Sequence, residues 1–223
     1  MSGTNPSAIS KKLVAGALIA GMAAGAALLY VRERPDGNQA DAVAMASGTS
    51  CEASAARASA AGAAARGQVA AMLATDEPSS LTGLSFNGPD GAPMTLGELS
   101  GKTLLVNLWA TWCAPCRAEM PALDRLQAAH GGGDFQVVAI NIDTGDVEKP
   151  KAFLDEVGVT SLALYRDATM GVFNELKTKG LAFGLPVTLL VDKDACLVAS
   201  MNGPAEWDSA DAVALIDAVK AAD

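Results

Sequence analysis

A chain of 223 residues is long enough to close one sizeable hydrophobic core with sequence left over for an appendage. Its formal charge of -9, with no local basic cluster, repels a phosphate backbone and argues against nucleic acid as a partner. Half of the residues are hydrophobic, but alanine inflates that share and only 4% are aromatic, so the core must be concentrated in one part of the chain, its second half.

Leu13 to Val31 is an uncharged run of nineteen residues. As a helix rising about 1.5 Å per residue it is long enough for a hydrocarbon core of about 30 Å, and a transmembrane anchor is expected over 13–31. Lys11 and Lys12 precede the run while Arg32 and Arg34 follow it, so charge count alone leaves the orientation open. A cleaved signal peptide is the competing reading, because Ala42-Val43-Ala44 and Ala44-Met45-Ala46 have the small-residue pattern of a cleavage site. Against it, the run exceeds the usual signal core of about 7 to 15 residues, and those sites lie far beyond its end. Residues 32–75 read as an alanine-rich tether. Within it Cys51 to Ala74 is helical by propensity, with Val69, Met72 and Leu73 as a stripe to rest on the folded domain; a solvated spacer throughout is the alternative.

The folded domain is expected over 76–223. LSFNGPDGAPMTLGEL has the alternation and the Asn-Gly and Asp-Gly punctuation of a hairpin. TLLVNLWA is a β-rich run, followed by a helix from about Ala114 to Ala129 that Gly131-Gly132-Gly133 ends. QVVAINID then reads as a strand, EKPKAFLDEVG as a helix, SLALYRD as a strand and MGVFNELKTKG as a helix. VTLLVD and CLVASMNG, separated by Lys193-Asp194-Ala195, form a terminal hairpin before an amphipathic helix over Ser209 to Ala222. Such alternation implies parallel crossovers, and the hairpins add antiparallel strands: a mixed α/β sheet flanked by helices.

The chemistry sits in WATWCAPCRAEMP, Trp109 to Pro121. A Cys-x-x-Cys pair is half of a zinc site or a redox dithiol. A structural zinc site needs four ligands, and the other candidates are the scattered Cys51, Cys196 and His130, so no metal is expected. For a dithiol the context fits. A hydrophobic strand delivers Cys113 to the edge of a sheet where a helix begins, and backbone N–H groups and the helix dipole there stabilise a thiolate. Pro115 near the first turn loses nothing by lacking an N–H. Cys116, one turn inside, is placed to attack a mixed disulfide formed at Cys113, so Cys113 is the expected nucleophile and Cys116 the resolving thiol. His130 reads as a helix-end residue, Trp112 as a packing and rim residue, and Trp109 as core.

The run NLWATWCAPCRAEMPAL, with Gly184-Leu185-Pro186 ending seventy residues after Cys116, resembles the thioredoxin superfamily and, within it, the membrane-anchored TlpA-like branch, over about Leu81 to Ala222. The resemblance implies a thioredoxin fold with an N-terminal hairpin and an inserted helix-strand element, preceded by one transmembrane helix. It also implies that Pro186 is cis and packs against the dithiol, so that Trp112, Leu185 and Pro186 bind an extended substrate segment. Pro121 would kink the first helix. Two departures stand out. Thioredoxins carry a buried aspartate six residues before the first cysteine, where this chain has Asn107, which accepts no proton from Cys116. Glu119, three residues after Cys116 on the same helix face, matches an active-site glutamate of the related anchored reductases and is the expected proton relay, with a solvated surface carboxylate as the alternative. Val187 stands where the cytochrome c maturation branch tends to have glutamate, which weakens an apocytochrome role.

By that resemblance residues 1–12 are cytoplasmic and a monomeric domain faces the periplasm from the inner membrane, as a reductant of protein disulfides without a cofactor. Its partners would be client proteins whose cysteine pairs await copper or haem, cytochrome oxidase copper-site assembly being favoured, and a membrane electron donor that regenerates the dithiol. A disulfide-forming oxidant and a copper-binding chaperone are the alternatives. A peroxidase would need its cysteine in a different loop context. In such a compartment Cys51 and Cys196 are expected to form a structural disulfide, two unrelated thiols being the other possibility.

Overall fold

The computed structural model describes residues 51–222. The anchor expected over 13–31, its cytoplasmic flank 1–12 and the tether up to residue 50 lie outside the described residues. Among the described residues no helix is long and apolar enough to cross a membrane.

Thr103–Trp109 lacks polar alternation, as a strand covered on both faces must, and all seven of its residues are buried. This strand, β4, lies inside an eight-stranded sheet whose other members are β1 (Leu73–Ser80), β2 (Ser85–Asn87), β3 (Pro93–Thr95), β5 (Phe135–Asn141), β6 (Tyr165–Arg166), β7 (Val187–Val191) and β8 (Cys196–Asn202). The spatial order is β1-β8-β7-β4-β5-β6-β2-β3. β4 runs parallel to β5 and antiparallel to β7, so the sheet is mixed, as the alternation of elements implied. Five helices join or flank the strands: α1 (Ala55–Ala64), α2 (Ala114–His130), α3 (Glu148–Glu156), α4 (Gly171–Thr178) and α5 (Ala210–Ala221). Leu104, Leu105, Val106, Leu108, Val138, Ile140, Leu189 and Leu190 fill the centre without measurable exposure.

Helix α3 and strand β6 form one helix-strand element. Its strand is only two residues long because Asp124 on α2 accepts the backbone N–H groups of Thr160, Ser161 and Leu162 at 3.1, 2.7 and 3.0 Å, which holds most of SLALYRD out of the ladder. β6 nevertheless joins the β2–β3 hairpin to the rest of the sheet. It pairs with β5 on one side and β2 on the other, and Tyr165 meets Phe86 edge to face, with ring centroids 5.7 Å apart.

Residues 51–75, expected as a tether outside a domain starting at 76, are part of the folded unit. A 3-10 turn at Cys51–Ser54 leads into α1, whose buried Ala58, Ala61 and Ala64 let it pack closely against α5, β1 and β8. The helical run stops well short of Ala74. Gly67 takes a φ of +56°, and a Cβ there would collide with the Asp211 carboxylate. That turn brings Gln68 N–H to Asp211 Oδ2 at 3.1 Å, at the start of α5. Val69 and Met72 are buried, as the expected stripe required, but Leu73 is 70% exposed because it already belongs to β1. β1 is an edge strand with Pro78 and a register break between Ala74 and Ser79, the features that keep an edge from templating further strands.

Two tethers fix the extension to the β7–β8 hairpin. Cys51 is bonded to Cys196, with Cα atoms 5.7 Å apart. Arg57 Nη1 donates to Asp192 Oδ2 at 2.7 Å, both side chains being almost fully buried, and to the more exposed Asp194 Oδ2 at 2.7 Å. Asp192 also accepts the Asp194 and Cys196 N–H groups at 3.0 Å each, so one carboxylate shapes the hairpin turn and anchors α1.

Candidate active site

β4 ends at Trp109, and Ala110-Thr111-Trp112 carries the chain into α2. The short connection is held by a side-chain network. Thr111 gives its N–H to Asp143 Oδ2 and its hydroxyl to Asp143 Oδ1, both at 3.0 Å, while Asn141 Nδ2 holds the same aspartate at 2.7 Å. Trp109 is core, packed against Phe153 of α3, and the Arg117 guanidinium lies 4.5 Å above that same phenylalanine ring. Pinned from below in this way, the loop presents Cys113 as the N-cap of α2.

Cys113 and Cys116 are bonded to each other, with Cα atoms 5.3 Å apart. The N–H of Cys116 points at Cys113 Sγ at 3.3 Å. A thiolate on Cys113 after reduction would therefore sit on a backbone donor at the positive end of a 17-residue helix. Cys113 keeps 6% exposure and Cys116 none, so an incoming sulfur meets Cys113 first. Trp112 beside it is 60% exposed. The Leu185–Pro186 peptide bond is cis, and Val187 pairs with Leu108, so the Gly-x-Pro segment lies at the sheet end where β4 delivers the dithiol. Phe183, three residues before that proline, is 82% exposed, and its N–H is held by Asn202 Oδ1 at 2.9 Å.

Glu119 is no surface carboxylate: it keeps 4% exposure. Its Oε1 accepts Asn107 Nδ2 at 2.8 Å, and its Oε2 accepts the Ala205 N–H at 3.1 Å and the Trp207 indole N–H at 2.8 Å. Burial pushes the carboxyl up to about 7, against the opposing pull of those three donors, so it can change charge near neutral pH. Asn107 spans two elements, since its Nδ2 also reaches Thr188 Oγ1 on β7 at 3.0 Å. A cavity of about 320 Å³ opens beside Glu119, lined by Gln68, Pro115, Ala118, Pro204, Ala205 and Glu206.

The dithiol, Glu119, Trp112 and the Leu185–Pro186 bond thus gather around the start of α2 and the sheet end beside it. Cys51 and Cys196 form a separate bond at the β7–β8 turn, and His130 ends α2 against Phe135 and α5. A larger cavity of about 680 Å³ lies between α3 and the β2–β3 turn and is not lined by the dithiol. Sequence reading missed Trp207, Ala205, Thr188 and Asp143. For Trp207 there was a signal, a tryptophan in the otherwise small and polar loop GPAEWDS. Among the described residues no group of three or more His, Cys, Asp or Glu side chains is placed to hold a metal ion.

Comparison with known proteins agrees with this geometry. A family model described as Redoxin matches residues 60–216. The thiol-disulfide oxidoreductase ResA of Oceanobacillus iheyensis is 37% identical over 71 residues, 32% of this chain and 36% of that protein. ResA of Bacillus thuringiensis is 29% identical over 115 residues, 51% of this chain and 62% of its own length. The chain therefore spans less than two thirds of these curated relatives. A solved chain from Chlorobium tepidum, described as a thiol:disulfide interchange protein DsbE, superposes with a TM-score of 0.51 at 26% identity, covering 64% of this chain and 94% of that one.

Proposed function

The chain belongs to the redoxin family, and from that premise we propose that it is a thiol-disulfide oxidoreductase that reduces disulfides in client proteins. The observation that carries the reading is the pair itself, Cys113 at the helix entrance with a backbone N–H on its sulfur and Cys116 buried one turn behind. In the reduced protein the Cys113 thiolate attacks one sulfur of a client disulfide. A Cys113–client bond forms, the client's own bond breaks, and the electron pair leaves on the second client sulfur, which takes up a proton. Cys116 then gives its proton to the Glu119 carboxylate and attacks Cys113 Sγ. The Cys113–Cys116 bond forms as the client sulfur departs with the electron pair. The departing client sulfur is protonated in its turn, so the client gains two electrons from the dithiol and two protons, one balanced when Glu119 releases the Cys116 proton and the other by the proton Cys113 gave to solvent on ionising. Glu119 supplies the acceptor that Asn107 cannot be, and with a pKa of about 7 it can take a proton from Cys116 and release it again near neutrality.

ResA and DsbE carry the names of thiol-disulfide exchange proteins, which supports this reaction class. We place the chain in the TlpA-like branch, anchored by Leu13–Val31 with its folded unit on the periplasmic side. Its clients there would be cysteine pairs that must be reduced before copper or haem is loaded, and a membrane donor would return electrons to the dithiol. Direction is set by the reduction potential. Equilibrating the full-length protein against defined dithiol buffers should give a Cys113–Cys116 potential well below the roughly -120 mV of a strong periplasmic oxidant. A value at that level would make the protein an oxidant and end the reductant reading.

A further inference from the structure

Proton transfer from Cys116 requires the Glu119 carboxyl to ionise inside a core that disfavours charge. Three donors meet it, and they come from two places in the chain: Asn107 on β4, and the Ala205 backbone and the Trp207 side chain in the segment between β8 and α5. The Asn107 amide is shared with Thr188, and the Ala205 N–H is a backbone donor that any residue but proline would supply. Trp207 differs from both. Its ring has no measurable exposure, and its one polar side-chain atom is spent on Glu119. Packing accounts for the bulk of the ring, but an apolar ring needs no donor aimed at a carboxylate, so the indole N–H at 2.8 Å from Glu119 Oε2 is the part that packing does not explain.

We propose that Trp207 is a positioning residue for Glu119: its indole N–H, 2.8 Å from Oε2, holds the carboxyl in place and stabilises its charged form, so that Cys116 finds a proton acceptor at neutral pH. The inference rests on the proposed transfer of the Cys116 proton to Glu119. The charged and titratable groups around Glu119 are few. Cys116 lies one turn earlier on α2, and Glu206 lies on the wall of the same cavity. β4, β7 and the segment before β1 bring the uncharged Asn107, Thr188 and Gln68 to this cluster. With no cation among these groups, hydrogen bonds are what oppose the desolvation of this carboxylate, and Trp207 provides one of three.

The test uses the full-length protein in its reduced state. The rate of disulfide reduction is followed from pH 5 to 9 for the wild type, Trp207→Phe, Glu119→Gln and the double variant. Trp207→Phe should move the Glu119-dependent inflection upward by about one pH unit, the size of one hydrogen bond to a charged acceptor, and should shift nothing further in the Glu119→Gln background. A shift that persists in the double variant would show a merely structural effect and overturn the inference. If Glu119→Gln itself leaves the wild-type profile intact, the proton-transfer reading fails, and the inference with it. If Glu119→Gln alters the profile and Trp207→Phe does not, only the role of Trp207 falls. A measurement without substitution at Trp207 guards against misfolding: its indole ¹⁵N–¹H resonance should titrate with an inflection near the carboxyl pKa of about 7 and lose that inflection in Glu119→Gln. A flat resonance across the range would contradict the proposal.

Discussion

Replacing Cys51 and Cys196 together should separate stability from chemistry. Alanine is the better substitute, because Cys196 is fully buried and two serines would bury hydroxyls as well. The bond closes a loop of 145 residues. In the chain-entropy model a loop of that size restricts the unfolded state by about 5 kcal/mol, and native disulfides of small domains give about 2 to 5 kcal/mol when removed. At about 2 to 4 °C per kcal/mol for a folded unit of this size, the melting temperature should fall by about 5 to 20 °C. Because the effect acts through the denatured chain, which expands once the crosslink is gone, the denaturant m-value should rise as well. The dithiol lies elsewhere, so disulfide reduction by Cys113 should persist at temperatures where the variant is folded. Calorimetry and urea titration under non-reducing conditions, with a reductase assay alongside, make the comparison. A melting temperature within one degree of the wild type would show that the bond does not stabilise the fold, and loss of reductase activity in the folded variant would show that it is not separate from the dithiol.

Arg57→Met removes the cation paired with the almost fully buried Asp192 and should cost about 3 kcal/mol in urea unfolding, at the low end for a broken buried pair because two backbone N–H groups still hold the aspartate. The exposed Asp194 partner should matter little, and Asp194→Asn should change stability by well under about 1 kcal/mol. Glu119 also predicts a pH dependence of folding. Its native pKa is raised from 4.5 to about 7, so the native state holds a proton that the unfolded state releases between those values; stability falls as pH rises through that window, by about 3 kcal/mol from this group alone. Glu119→Gln should flatten that part of the curve, and an unchanged slope between pH 5 and 7.5 would argue against a buried, raised carboxyl.

Most elements could be located in the sequence because their hydrophobic pattern and their punctuation agree. TLLVNLW is continuous because both of its faces are covered, and α2 starts where Cys113 caps it and ends at Gly131. What resisted reading depends on contacts between distant positions. β1 is mostly polar, and it is a strand because β8 offers it a ladder, which no local signal in ATDEPSS announces. Polar bonds from Asp124 shorten β6. In the site, helix period alone puts Glu119 on the face of Cys116. Its burial needs Trp207, 88 positions further on, and Asn107 from another element, so a residue that could equally have faced solvent is held inside.

In the proposed reaction Cys113 attacks and Cys116 resolves. Cys116→Ser, incubated as the full-length protein with a disulfide-bonded peptide, should accumulate a mixed disulfide that mass spectrometry maps to Cys113, and Cys113→Ser should accumulate none. Adducts on Cys116 in Cys113→Ser, with Cys113 left unmodified in Cys116→Ser, would make Cys116 the nucleophile and reverse the assignment.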